Sequence, residues 1–79
     1  MVIIRKKEVT KDKVSYYYQI EGEGDWGILA YFPKKGLLRI EKFAESEYEL
    51  ENYSHHAFTA IMKFYDNDEY PEEKLIAWY

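Results

Sequence analysis

Gly22, Gly24 and Gly27 fall at the spacing G-x-G-x-x-G within "EGEGDWG", residues 21 to 27. Loops of that spacing cradle phosphates with their backbone N–H groups. A dinucleotide loop of this kind opens a helix, whereas "WGILAYF" alternates as a strand does. Glu23 and Asp25 would also set negative charge against a phosphate. A glycine loop between two strands occurs in kinases, in the company of H-R-D and D-F-G sequences, and neither is present. The stretch therefore predicts a hairpin turn.

Other residues of reactive type lack the company their chemistry needs. His55 and His56 are adjacent, so on a helix their side chains diverge by about 100° and do not share one metal ion well. Glu51 and His55, four apart, could share one, but no third ligand is evident. "DNDEYP" starts like a calcium loop, yet Tyr70 and Pro71 stand where a ligand and the turn glycine belong. The hydroxyls of Thr10, Ser15, Ser46, Ser54 and Thr59 lie in no nucleophile-elbow context, and the carboxylates fall in polar runs. The expectation is a protein that is not an enzyme and takes no cofactor or metal.

Composition narrows the class further. The 79 residues suit one small domain, residues 1–79, of a size that buries only about 60% of its unfolded surface. Nine Tyr, four Phe and two Trp against four Gly and two Pro point to a packed, sheet-bearing core. With no Cys, neither a disulfide nor a thiolate metal site is available. The apolar-then-basic "MVIIRKKEV" is the reverse of a secretory signal, and no apolar run reaches the roughly 18 residues of a membrane span, so a cytoplasmic protein with no membrane contact is expected. Charge is uneven. Residues 1–43 hold nine Lys and Arg against six acids, a net +3, whereas 44–79 hold two Lys against nine acids, a net −7. An acidic half steers basic partners and repels nucleic acid.

The elements that position these residues follow from periodicity. Val2 to Val9 is a first strand. Val14, Tyr16, Tyr18 and Ile20 share one face of a second, and Leu38 and Ile40 mark a fourth. For the third, three-residue loops at Gly22–Gly24 and Lys34–Gly36 set Trp26, Ile28, Ala30 and Phe32 on the apolar face, opposite Ile20, Tyr18, Ile40 and Leu38. Phe58, Ile61, Met62 and Tyr65 recur as a helix stripe. "SEYE" from Ser46 is a capping box that starts the helix near residue 47, Ser54 is an alternative cap, and the acid-apolar alternation of Tyr48 and Leu50 reads instead as strand. Asn67 and Pro71 end the helix, and "KLIAWY" is a last strand. The fold class is α+β: an antiparallel sheet of about four strands, one amphipathic helix and a short C-terminal strand. That order, with "ILAYFP" ahead of the helix, is loosely similar to the small antitoxin domains of the HicB type, and no residue role is carried over.

Three surfaces are candidates for binding. Glu47, Glu49 and Glu51 lead the acidic half, which suits an inhibitor- or immunity-like module gripping a basic protein. Tyr17, Tyr31 and Arg39 are expected together on the second sheet face, where stacking on a protein partner or, less favoured by charge, on nucleic acid is the alternative. Phe64 on the helix flank and Leu75, Ile76 and Trp78 at the chain end suit a contact between copies, making a homo-oligomer the third reading, a self-assembling structural protein.

Overall fold

A computed structural model describes residues 1–45 and 52–77. Their order is β1 (Val2–Val9), β2 (Val14–Ile20), β3 (Glu23–Phe32), β4 (Leu37–Lys42), α1 (Asn52–Asn67) and β5 (Glu73–Ile76). The five strands form one antiparallel sheet in the order β4-β3-β2-β1-β5, so the chain end returns to lie beside β1. α1 packs across β1, β2, β3 and β5 on one face of that sheet. A single helix can cover only one face, and no helix or strand among the described residues covers the other. No helix among the described residues is long and apolar enough to cross a membrane.

"EGEGDWG" is a hairpin, by a different route from the expected loop. Ile20 pairs with Glu23, leaving a two-residue turn in which Glu21 and Gly22 both have positive φ, +54° and +74°. That is the twist a tight hairpin prefers, obtained here with a non-glycine residue in the left-handed region. A bulge follows, with Gly24 at φ +81°, and the ladder settles with Tyr18 opposite Gly27, Tyr17 opposite Ile28 and Tyr16 opposite Leu29. The β3–β4 loop runs from Pro33 to Gly36, four residues rather than three, and pairs Leu29 with Ile40 and Tyr31 with Leu38. Both ladders thus differ by one residue from the expected register, and a one-residue slip turns a strand over. Gly27, Leu29 and Tyr31 face the helix, while Trp26, Ile28, Ala30 and Phe32 lie on the open face.

The core under α1 is built from Val2, Ile4, Val14, Tyr16, Tyr18, Ile20 and Leu29 of the sheet and Ala57, Phe58, Ile61 and Phe64 of the helix. The buried helix stripe is therefore turned toward Ala57 and Phe64, and Tyr65 of the expected stripe is exposed. Two core tyrosines hold chain crossings with their hydroxyls. Tyr16 donates to the carbonyl of Pro71 at 2.7 Å, ahead of β5, and Tyr18 accepts from the amide of Ala44 at 2.9 Å, where the chain leaves β4. Burial pushes the Tyr16 phenol up to about 12. Gly27 completes the fit, because a Cβ there would run into the Tyr18 ring and the backbone of Lys42 and Ala44.

α1 ends one residue beyond the expected cap. Asp68, at φ +51°, takes the left-handed position; its amide donates to Tyr65 and that of Glu69 to Phe64, at 3.2 and 3.1 Å. The pair of bonds is a Schellman closure, and it directs the chain back toward Pro71 and β5.

Candidate functional site

The open sheet face gathers the side chains that the fold does not use. One row crosses all five strands, Lys42, Ile28, Tyr17, Arg5 and Glu73 in order. Beside it lies a row with Gln19, Ile3 and Leu75. Ile3, Tyr17, Trp26, Ile28 and Phe32 are half-buried by their neighbours alone, and Leu75 is 54% exposed. At the centre, Ser15 and Ala30 pair across strands and are fully buried, with the Ser15 hydroxyl donating to the carbonyl of Leu29 at 3.1 Å. Small residues there leave the larger ones standing around them.

Arg5 organises the middle of this face. Its guanidinium lies 4.9 Å from the ring centre of Trp26, and its Nε and Nη2 both donate to Glu73 Oε2 at 3.0 and 2.8 Å. Cation–π stacking and an ion pair fix the side chain in one place, which prepares it to meet a partner without further ordering. Arg5, Tyr17 and Trp26 line a shallow concavity of about 250 Å³. A second cation does the same farther out, where Lys13 Nζ lies 5.8 Å from the Phe32 ring centre and 3.3 Å from Glu41 Oε2. Arg39 and Lys42 on β4 are exposed and have no acidic partner among the described residues.

The residues singled out by sequence are divided by this geometry. Tyr17 and Arg39 share the open face, but Tyr31 is on the opposite one, edge-on to Tyr65 with ring centres 5.7 Å apart. Phe64 is spent in the core against Tyr16, ring centres 5.5 Å apart, and is no free flank. Ile76 pairs with Val2 and packs on the core, leaving Leu75 as the exposed apolar residue of β5. Glu47, Glu49, Glu51 and Trp78 lie outside the described residues. Trp26 is not among the residues that the sequence singles out for this face, and the signal that finds it is Gly27: glycine inside a strand marks a close approach on its own face, which sends its neighbour to the other.

The charge asymmetry of the sequence is partly cancelled by the fold. Because β5 lies against β1, Glu73 meets Arg5 and Glu72 meets Lys6, the latter at 2.9 Å. Two acids of the second half therefore neutralise the basic first strand. A larger groove of about 790 Å³ runs between α1 and β5, past His56, Lys63, Tyr70 and Lys74. Burial raises the Tyr70 phenol above its usual range, with Asp68 adding to the effect. His55 and His56 stack edge to face, 5.9 Å apart, and no group of three His, Cys, Asp or Glu among the described residues is placed to hold a metal ion.

No family model, curated protein or solved structure matches the chain.

Proposed function

We propose that the protein is a small non-catalytic protein-interaction module that binds its partner with the open face of the sheet. The observation that carries this reading is the Arg5, Tyr17 and Trp26 cluster: two half-buried aromatic side chains and an exposed arginine stacked and ion-paired beside them, on a face that α1 does not cover. Such anchors dominate binding energy when a partner completes their burial, and a rim of ions around an apolar centre is the usual anatomy of an interface. Arg39 and Lys42 favour a partner with carboxylates on the β4 side. The reading moves the contact from Glu47, Glu49 and Glu51 to the sheet.

Co-purification with tagged protein tests it. Trp26→Ala and Tyr17→Ala should each lose the partner held by the unaltered chain while keeping its melting temperature within a few degrees. A triple change of Glu47, Glu49 and Glu51 to Gln should keep the partner. The opposite pattern would place binding on the acidic segment and sink the sheet-face reading.

The same face supports a second reading, single-stranded nucleic acid, because aromatic rings beside exposed cations stack bases and meet phosphates. Fluorescence anisotropy of a labelled oligonucleotide decides it. Binding that weakens steeply with salt and vanishes in Trp26→Ala favours nucleic acid, and no binding at low salt removes it.

A further inference from the structure

Residues 44–79 hold nine acids and only two Lys, Lys63 and Lys74. The fold brings both to one place. Lys63 on α1 and Lys74 on β5 line the two sides of the groove of about 790 Å³, together with Phe64 and Tyr70. Lys74 and Ile76 face α1, since they pair with the core residues Ile4 and Val2, and Lys74 Nζ lies 5.8 Å from the Phe64 ring centre. The acids just before Lys74 in the chain are turned to β1 instead, Glu72 to Lys6 and Glu73 to Arg5. Lys63 and Lys74 therefore have no acidic partner among the described residues, of which Glu69 is the one acid that lines the groove.

The backbone of β5 supplies a second, independent feature. Lys6 donates its amide to the carbonyl of Glu72 at 2.8 Å, and bonding alternates along an antiparallel pair, so Lys74 and Ile76 are the residues bonded to β1. Glu73 and Leu75 turn their amides and carbonyls to the outer edge, where no strand pairs among the described residues. Unpaired backbone groups on such an edge are a template for another strand.

We propose that an extended acidic peptide segment adds to the outer edge of β5 and sets its carboxylates against Lys63 and Lys74. The edge needs a backbone, because an extended chain offers donors and acceptors at the spacing of Glu73 and Leu75. The groove needs negative charge, because its two lysines outnumber its one acid among the described residues. Alternate side chains of the added strand lean toward α1, so carboxylates two residues apart reach the groove. Those between them lie beside Leu75, 54% exposed on the other side of the sheet, and should be apolar. The groove is on the helix side, away from Tyr17 and Trp26, and this inference does not rest on what the open face binds.

Fluorescence anisotropy of a short labelled peptide of alternating Glu and Val, mixed with the full chain, tests it. The peptide should bind, more weakly as salt rises, and the same peptide with Lys for Glu should not. Lys63→Glu and Lys74→Glu should each weaken binding roughly tenfold or more, whereas Trp26→Ala should leave it unchanged. Both lysines are exposed, so these variants should melt within a few degrees of the parent. The double variant should take the Lys peptide in place of the Glu peptide. N-methylation of alternate amides, on the edge of the Glu peptide that would bond to β5, should abolish binding, and the amides of Glu73 and Leu75 should exchange more slowly in the unmodified complex. No binding of the Glu peptide, or binding indifferent to the lysine reversals, overturns the proposal. Equal binding of the N-methylated peptide overturns it too, leaving an anion site with no added strand. An oligonucleotide that displaces the Glu peptide and is itself lost in Lys63→Glu would assign the groove to nucleic acid instead.

Discussion

Ile28 and Leu29 are neighbours in the chain and opposites in the structure. Leu29 is fully buried beneath α1, while Ile28 stands half-covered in the open face between Tyr17 and Lys42. Both are large, aliphatic and in the same strand, so residue type does not separate them; the side of the sheet does. The covered face turns apolar area into stability. The open face carries Ile3, Tyr17, Trp26, Ile28 and Phe32 half-buried, with no helix or strand of the described residues laid over them, and on the proposed function their remaining free energy is gained when a partner binds. The largest effects on folding should accordingly come from one face and the largest effects on binding from the other.

The sharpest way to break this contrast is the pair itself. Leu29→Ala should cost about 2–5 kcal/mol, the usual range for a truncated core side chain, and a domain of this size has about 4–12 kcal/mol in all. Ile28→Ala should cost about 1 kcal/mol or less, since its methyls are already partly in water. Urea unfolding of the two variants decides the matter. The reverse order would restore the three-residue loop register and turn β3 over.

A second difference between the faces is chemical and shows at high pH. The Tyr16 phenol is buried, its pKa raised from 10 to about 12. Below pH 10 the folded and unfolded chains both hold the proton, and the contribution to stability is complete. Between pH 10 and 12 the unfolded chain releases it while the folded one keeps it, so stability should fall by up to about 2–3 kcal/mol across that window. Tyr16→Phe should remove this part of the alkaline loss. It should also cost about 1 kcal/mol at neutral pH, because the bond to Pro71 goes with the hydroxyl. Parallel pH dependence in the two proteins would mean that the phenol is not held in the protonated form.

The element order could be read from the sequence, but the side of β3 could not. β2 has Val14, Tyr16, Tyr18 and Ile20 on one face and only Tyr17 as a large residue between Ser15 and Gln19 on the other, so its pattern can be read. β3 is apolar on both sides, with Trp26, Ile28 and Phe32 against Leu29 and Tyr31, and a period of two carries no sign when both phases are apolar. Its side then depends on turn length, and the turn places Glu21 in the left-handed region, for which glutamate gives no cue. The helix is half legible: the sheet buries Phe58 and Ile61 of the expected stripe together with Ala57 and Phe64 beside them, and leaves Tyr65 exposed. On the candidate site, Tyr17 and Arg39 were legible because β2 and β4 were. Arg5 depends on its pairing with Glu73, distant in sequence, and Trp26 on the turn that sets the side of β3.

Glycines give a third, smaller test of which face is full. At Gly27 an added methyl meets the Tyr18 ring and the backbone of Lys42 and Ala44, which do not yield easily, so Gly27→Ala should cost about 1–3 kcal/mol through overpacking. At Gly36 nothing lies within 4 Å of the added atom, and only the strained φ of +60° counts, for about 1 kcal/mol. Thermal melts of both variants should separate them. Equal losses would show that the covered face has room at Gly27.

The smallest effect on folding should come from the residue at the centre of the proposed contact. Arg5→Gln removes an ion pair whose side chains are 56% and 54% exposed, together with the stacking on Trp26. Surface pairs of this kind contribute about 1 kcal/mol or less, and salt screens them, so the variant should unfold within about 1 kcal/mol of the parent, with a smaller difference at high salt. Partner binding should suffer more, because Gln neither stacks on the indole as a cation nor presents a planar fork of donors. A loss of stability as large as that of Leu29→Ala would make Arg5 part of the framework, and the open face would then have no energetic reserve at its centre. Unchanged stability with weakened binding is the outcome that sets the two faces apart.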